Sequence, residues 1–289
     1  MEKESRKRII LFLILSFIPM WVLSCVYYFV RKDIILVIMM LLPAIACVVT
    51  RAISKEGFER MMIRPCFKGN WKWYIIAYFM PPFVAYFGAT IYFLIFTSSF
   101  TPLQSTFAVE SSIASTSEYV KALLVLFPLA IILNPLMGIV QCFGEELGWR
   151  GYLLPKLGET LSPLFASVIT GVVWGLWHAP IIAMGYNYGT ENPIAGIFAM
   201  IVFCTCLGII SGFLTYKVNS IWPAVLFHAS INGMDMYAPS ALFMSQKPNI
   251  FVGPDLLGII GGVGFIVIDI ILILIMRKWK KDEDRQAYA

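Results

Sequence analysis

The sequence predicts an all-α, polytopic membrane protein of about eight transmembrane helices with a polar intramembrane cavity. Three observations carry this. Of 289 residues, 59% are apolar and 13% charged, and the mean hydropathy is +0.79, far from the mixture of a water-soluble domain. The apolar residues gather in runs near the roughly 20 that a helical bilayer crossing needs. Basic residues are dense in alternate loops, the pattern of cytoplasmic and outer loops.

Taken in order, the first run, IILFLILSFIPMWVLSCVYYFV after MEKESRKR, is too long for a signal peptide and lacks a small-x-small cleavage site, so it predicts a membrane helix over 9–30. Further spans are expected at 34–52, 71–97, 122–143, 162–183, 194–216, 221–238 and 256–276. With the N-terminus inside, 18 of the 22 Lys and Arg lie on the cytoplasmic side, leaving Arg31, Lys32, Lys121 and Lys247 outside. The expectation is one transmembrane domain over 1–289, multi-pass in the cell membrane with cytoplasmic termini, and a motif-bearing core at 135–238.

The fourth span is interrupted by Asn134-Pro135. A helix capped by Asn134 and opening at Pro135 would put Glu145 about 15 Å along it, near mid-membrane, whereas a straight helix from Lys121 would bring it out at the cytoplasmic edge. Both depths are compatible with the sequence.

Several function classes fall away. The six cysteines (25, 47, 66, 142, 204 and 206) show no C-x-x-C spacing and are expected as small apolar packing residues. There is no P-loop, dinucleotide fingerprint, G-x-S-x-G elbow or H-E-x-x-H. The basic stretch from Arg51 to Lys72 is expected near lipid headgroups, and no nucleic-acid partner is expected. Asp269 is expected as a protonated, hydrogen-bonded packing residue, and Asp235 near the face of His228.

What remains is a small polar set in apolar surroundings, where ionisable groups are costly and line cavities or pair with one another. In QCFGEELGWR, Glu146 and Arg150 stand four apart and share a helix face, while Glu145 is rotated by about 100°. The pair can neutralise itself, which leaves Glu145 as the working carboxylate. Gly144, Gly148 and Gly151 allow a helix or a substrate backbone to come close. The only two histidines lie in other apolar runs. His178 follows Trp174 by four and precedes Ala179-Pro180, which should end or bend its helix. His228 and Asn232, four apart, present an imidazole and a carboxamide on one face, suited to a metal or to a developing oxyanion. This equipment fits amide hydrolysis by a water activated by carboxylate and imidazole, or by a metal they hold.

EELGWR matches E-E-x-x-x-R, WGLWH resembles F-x-x-x-H with Trp174 in place of phenylalanine, and HASIN matches H-x-x-x-N. In this order the three motifs, spanning 141–232, resemble the CPBP family of type II CAAX prenyl proteases and their bacteriocin-processing and bacteriocin-immunity relatives. The resemblance implies an eight-helix intramembrane endopeptidase acting on peptide or lipidated protein substrates within membrane lipid. By position, Glu145 with His178 would activate water, Glu146 would complete the glutamate pair, His228 with Asn232 would hold the oxyanion, and Arg150 and Trp174 would support them. The Trp-for-Phe change, aromatic for aromatic, would bear on substrate choice more than on catalysis. No cofactor is expected; in the zinc-dependent alternative Glu145, His178 and His228 would be the three protein ligands. A non-catalytic immunity or transport protein is the other alternative.

Overall fold

The structure, a computed structural model, describes residues 3–287, and among them it contains helices and turns and no strand. Five helices are long and apolar enough to cross a membrane: Glu4–Val30, Asp33–Ser54, Trp71–Ile95, Thr116–Met137 and Pro193–Val218. At about 1.5 Å per residue, 22 to 27 residues reach across a hydrocarbon core of roughly 30 Å. Their outward faces are apolar, with Phe29 and Ile194 about 80% exposed, as expected of a surface solvated by lipid. Prolines 19, 43, 81, 82, 128 and 135 lie inside these helices, which membrane helices tolerate better than soluble ones.

Eight spans were expected and five helices meet the length and hydropathy of a span. The other three expected runs are shorter or more charged. Pro163–Trp177 is a 15-residue helix and Trp222–Gly233 a 12-residue one. Val263–Ala287 is apolar only until Arg277 and Lys278. The first of these stops because His178 and Pro180 turn the chain, and the short helix Ala179–Ala183 follows.

Neither expected start of the carboxylate-bearing helix is found. Thr116–Met137 is continuous through Asn134 and Pro135, opened by a capping box in which Ser115 Oγ accepts from the Glu118 amide and the Glu118 carboxylate accepts from the Ser115 amide. Gly138 then breaks the chain at φ −92° and ψ −2°, and a new helix, Ile139–Gly148, begins. Glu145 therefore lies six residues, about 9 Å, along its helix. Asn134 caps nothing: its Nδ2 donates to Gly233 O at 3.3 Å. Straight after Gly148 the chain widens into a π-helical turn, Trp149–Leu153, and resumes as α-helix at Leu154–Gly158.

The chain packs as two compact units. The first runs to Tyr74 and takes in Val140–Val225 and the chain from Ile268. Here helix Ile139–Gly148 lies against Asp33–Ser54 with glycine at the contact: a Cβ on Gly148 would meet Pro43 Cβ at 2.4 Å, and one on Gly144 would meet Met40 O at 2.8 Å. This is the close approach the glycine spacing predicted. Pro163–Trp177 and Pro193–Val218 pack on each other in the same way, since a Cβ on Gly175 would lie 2.5 Å from Ile201 Cα and one on Gly208 2.7 Å from Gly171 Cα. The second unit comprises Ile75–Ile139 and Leu226–Val267. Within it Ser230 Oγ donates to Tyr78 O at 2.7 Å, and the Tyr119 and Tyr86 hydroxyls donate to the carbonyls of Leu242 and Tyr237.

Candidate active site

In the first unit, Glu145, Glu146 and Arg150 are all buried, Glu145 at 2% exposure and the other two at 0%. Arg150 Nη1 donates to Glu146 Oε1 at 2.8 Å. The i, i+4 pairing read from the sequence is therefore made, across the start of the π turn. A buried charge without a partner costs several kcal/mol, so the pair accounts for two of the three charges in this segment.

The third charge is met from another helix. Trp174 Nε1 donates to Glu145 Oε2 at 2.6 Å, a short, charge-assisted bond. Trp174 also carries the Arg150 guanidinium over its ring at 4.6 Å from the centroid, close enough for a cation–π contact. Its backbone carbonyl faces His178 Nδ1 at 2.9 Å. A carbonyl can only accept, so Nδ1 carries the proton in that contact and Nε2 is the basic nitrogen of the neutral ring. The imidazole is packed edge-on against Trp177, with centroids 4.9 Å apart, and Trp177 Nε1 is itself anchored on Ser16 O at 3.1 Å. Position and tautomer of His178 are thus set by its own helix turn and by a neighbouring indole.

Of the residues expected at the site, the first unit brings together Glu145, Glu146, Arg150, Trp174 and His178. The second unit holds His228 and Asn232, one turn apart on the helix Trp222–Gly233. His228 is buried and Asn232 is exposed. That stretch of helix is pinned by the contacts of Ser230 with Tyr78 and of Gly233 with Asn134. Asp235 follows in a 3₁₀ turn, Met234–Tyr237.

Two features lay outside the sequence reading. Trp174 is more than an aromatic replacement for phenylalanine, because its N–H holds the carboxylate and phenylalanine has none. Cys204, read as a packing residue and indeed fully buried, places Sγ 3.9 Å from His178 Nδ1; no local spacing links residues 26 apart. Asp269 is buried, as expected, but neither carboxylate oxygen has a hydrogen-bond partner among the described residues.

Chemically, the first unit offers a buried carboxylate oriented by a single N–H donor and an imidazole of defined tautomer on the same tryptophan. The second offers an imidazole and a carboxamide on one face. Helices of spanning length together with this set define an integral membrane protein with a candidate acid–base site. Residues 123–234, which contain all seven of these positions, match the family described as type II CAAX prenyl endopeptidase Rce1-like. The likeness to that family is confined to this stretch of the chain. It is 38% identical over 92 residues to CAAX prenyl protease 2 of Methanococcus maripaludis, across 30% of this chain and 34% of that protein. To lysostaphin resistance protein A it is 27% identical over 146 residues in Staphylococcus haemolyticus, across 48% of this chain and 36% of the relative. The same protein of Staphylococcus epidermidis is 30% identical over 155 residues, across 52% and 37%. The matched stretches span little more than a third of the length of these curated relatives.

Proposed function

We propose that this chain is an intramembrane endopeptidase that hydrolyses peptide bonds of membrane-associated or prenylated, CAAX-like proteins or peptides. The observation that carries the reading is the buried carboxylate of Glu145, held at one oxygen by Trp174 while the same residue orients His178. In the proposed reaction Glu145 and His178 take the proton from a water as it attacks the scissile carbonyl, and the proton passes on to the leaving amine. His228 and Asn232 donate to the oxyanion that forms. Glu146 and Arg150 keep each other neutral and hold the carboxylate helix in place. The chemistry draws on carboxylate and imidazole, without a cofactor, in a protein of the cell membrane whose termini face the cytoplasm.

The test is cleavage by the purified chain in detergent, comparing a prenylated peptide with its unmodified counterpart. Glu145→Gln is expected to lower the rate at least about 100-fold, the usual worth of a general base, with the protein still folded. Retained cleavage in that variant would remove Glu145 from its role. Activity lost to a chelator and restored by zinc would replace this mechanism with a metal-dependent one. The name of the staphylococcal relatives, which speaks of resistance and is silent on cleavage, brings in a second reading, a non-catalytic immunity protein. It predicts that Glu145→Gln still confers resistance in cells.

A further inference from the structure

We infer that Trp174 is the positioning residue of the catalytic carboxylate, and that it acts through its indole N–H and its backbone carbonyl rather than through aromatic bulk. The inference rests on the endopeptidase reading of Glu145 and deepens it. Three contacts converge on this one residue: Nε1 to Glu145 Oε2 at 2.6 Å, the carbonyl to His178 Nδ1 at 2.9 Å, and the ring face under Arg150 at 4.6 Å. Each constrains a different partner of the proposed reaction. An indole N–H can donate and cannot accept, so it engages Oε2 as an acceptor and assigns proton uptake to Oε1. It also fixes the plane of the carboxylate, which would otherwise swing about its terminal torsion, a broad one for glutamate. The carbonyl holds the proton of His178 on Nδ1, so that Nε2 is the nitrogen presented as base. Arg150 stacks on the indole and pairs with Glu146, which ties the side chain of Trp174 to the helix that carries Glu145.

Trp174 is itself buried, as a donor must be to hold a carboxylate without competition from water. The position is also where this chain departs from the F-x-x-x-H pattern its motif resembles. A phenylalanine there would keep an aromatic ring and the backbone carbonyl, and would lose the donor along with part of the ring system; the benzothienyl isostere loses the donor alone. The one hydrogen-bond donor that phenylalanine lacks is the atom aimed at the carboxylate.

The experiment replaces Trp174 with 3-benzothienylalanine, an isostere that carries sulfur in place of the N–H, beside Trp174→Phe and Glu145→Gln in the full chain. Cleavage of one peptide is followed for kcat and KM separately, with thermal unfolding recorded for each variant. The expected result for the isostere is a kcat roughly 10- to 100-fold lower, the range for a lost hydrogen bond to a charged group, with KM within twofold and unfolding unchanged. Trp174→Phe should lose kcat similarly. A second readout needs no turnover: the Trp174 indole N–H proton resonance, assigned by its disappearance in Trp174→Phe, should move upfield in Glu145→Gln.

An isostere that cleaves with the kcat of the unmodified chain overturns the inference and leaves the endopeptidase reading intact, provided that Glu145→Gln is inert. Cleavage by Glu145→Gln at the normal rate overturns that reading, and the inference with it. A Trp174 indole resonance unmoved by Glu145→Gln overturns the hydrogen bond itself.

Discussion

Glu146 and Arg150 illustrate what a single pair of side chains decides. Both are wholly buried and 2.8 Å apart, so removing one charge strands the other. Glu146→Gln is expected to lower stability by about 3 kcal/mol, seen as a lower unfolding temperature in detergent, and the double variant Glu146→Gln/Arg150→Met should recover part of the loss. This pair was legible in the sequence because it is local: residues four apart on a helix are neighbours whatever else the chain does. The bond from Trp174 to Glu145 was not, because it joins residues 29 apart on different helices. The sequence marks both as candidate site residues, but the atom joining them depends on how two helices pack.

Among the elements, glycine sets how close the helix that carries Glu145 lies to its neighbour. With Pro43 Cβ only 2.4 Å from where a Gly148 Cβ would stand, Gly148→Leu must push Ile139–Gly148 away from Asp33–Ser54. The expected cost is about 1–3 kcal/mol, and cleavage should fall along with stability because Glu145 rides on the same helix. Both effects are measurable on one preparation, by thermal unfolding and by peptide turnover. The glycines of GEELG were readable as contact points from their spacing. Helix ends were less so. Asn134-Pro135 looked like a start, yet in an apolar setting a helix accommodates proline in its interior, and the actual break falls at Gly138, a residue with nothing in its neighbourhood to mark it. Hydropathy likewise measured apolar length across Trp177 and His178, where the backbone turns.

At the scale of the whole first unit, the polar end is clasped by one loop carboxylate. Glu56, between the helices Asp33–Ser54 and Trp71–Ile95, accepts from Arg8 Nη1 at 3.2 Å and pairs with Lys156 Nζ at 2.9 Å. It therefore joins the first helix of the chain to the segment that follows the helix Ile139–Gly148. Arg51 lies beside it, its guanidinium 5.2 Å from the centroid of the Tyr152 ring. Burial works to raise the Glu56 pKa, but the contact with Lys156, the nearby Tyr152 hydroxyl and the charges of Lys156 and Arg51 outweigh it, so the carboxyl sits below its ordinary value of 4.5. A depressed folded-state pKa means stabilisation that is present above 4.5 and lost as pH falls through the lower folded value. The unfolding temperature should accordingly decline on acidification below about pH 4.5, and Glu56→Gln should be less stable at neutral pH with a shallower acid decline. The basic stretch from Arg51 to Lys72 reads from sequence as headgroup-facing, and neither Glu56 nor Glu59 within it stands at a spacing that marks a partner. The partners of Glu56 come from three separate parts of the chain, which only the assembled fold brings to one place.

The π-helical turn at Trp149–Leu153 has a consequence for how this region is compared with others. A turn that holds an additional residue delays the phase of everything after it, so a helical wheel drawn from Ile139 misdirects each position beyond Leu153 by about the 100° of one residue. On such a wheel Lys156 would be drawn about 100° from the side on which it meets Glu56, to which it is bound at 2.9 Å. Equivalent positions in related chains should be matched on either side of this turn separately, with a one-residue gap allowed inside it.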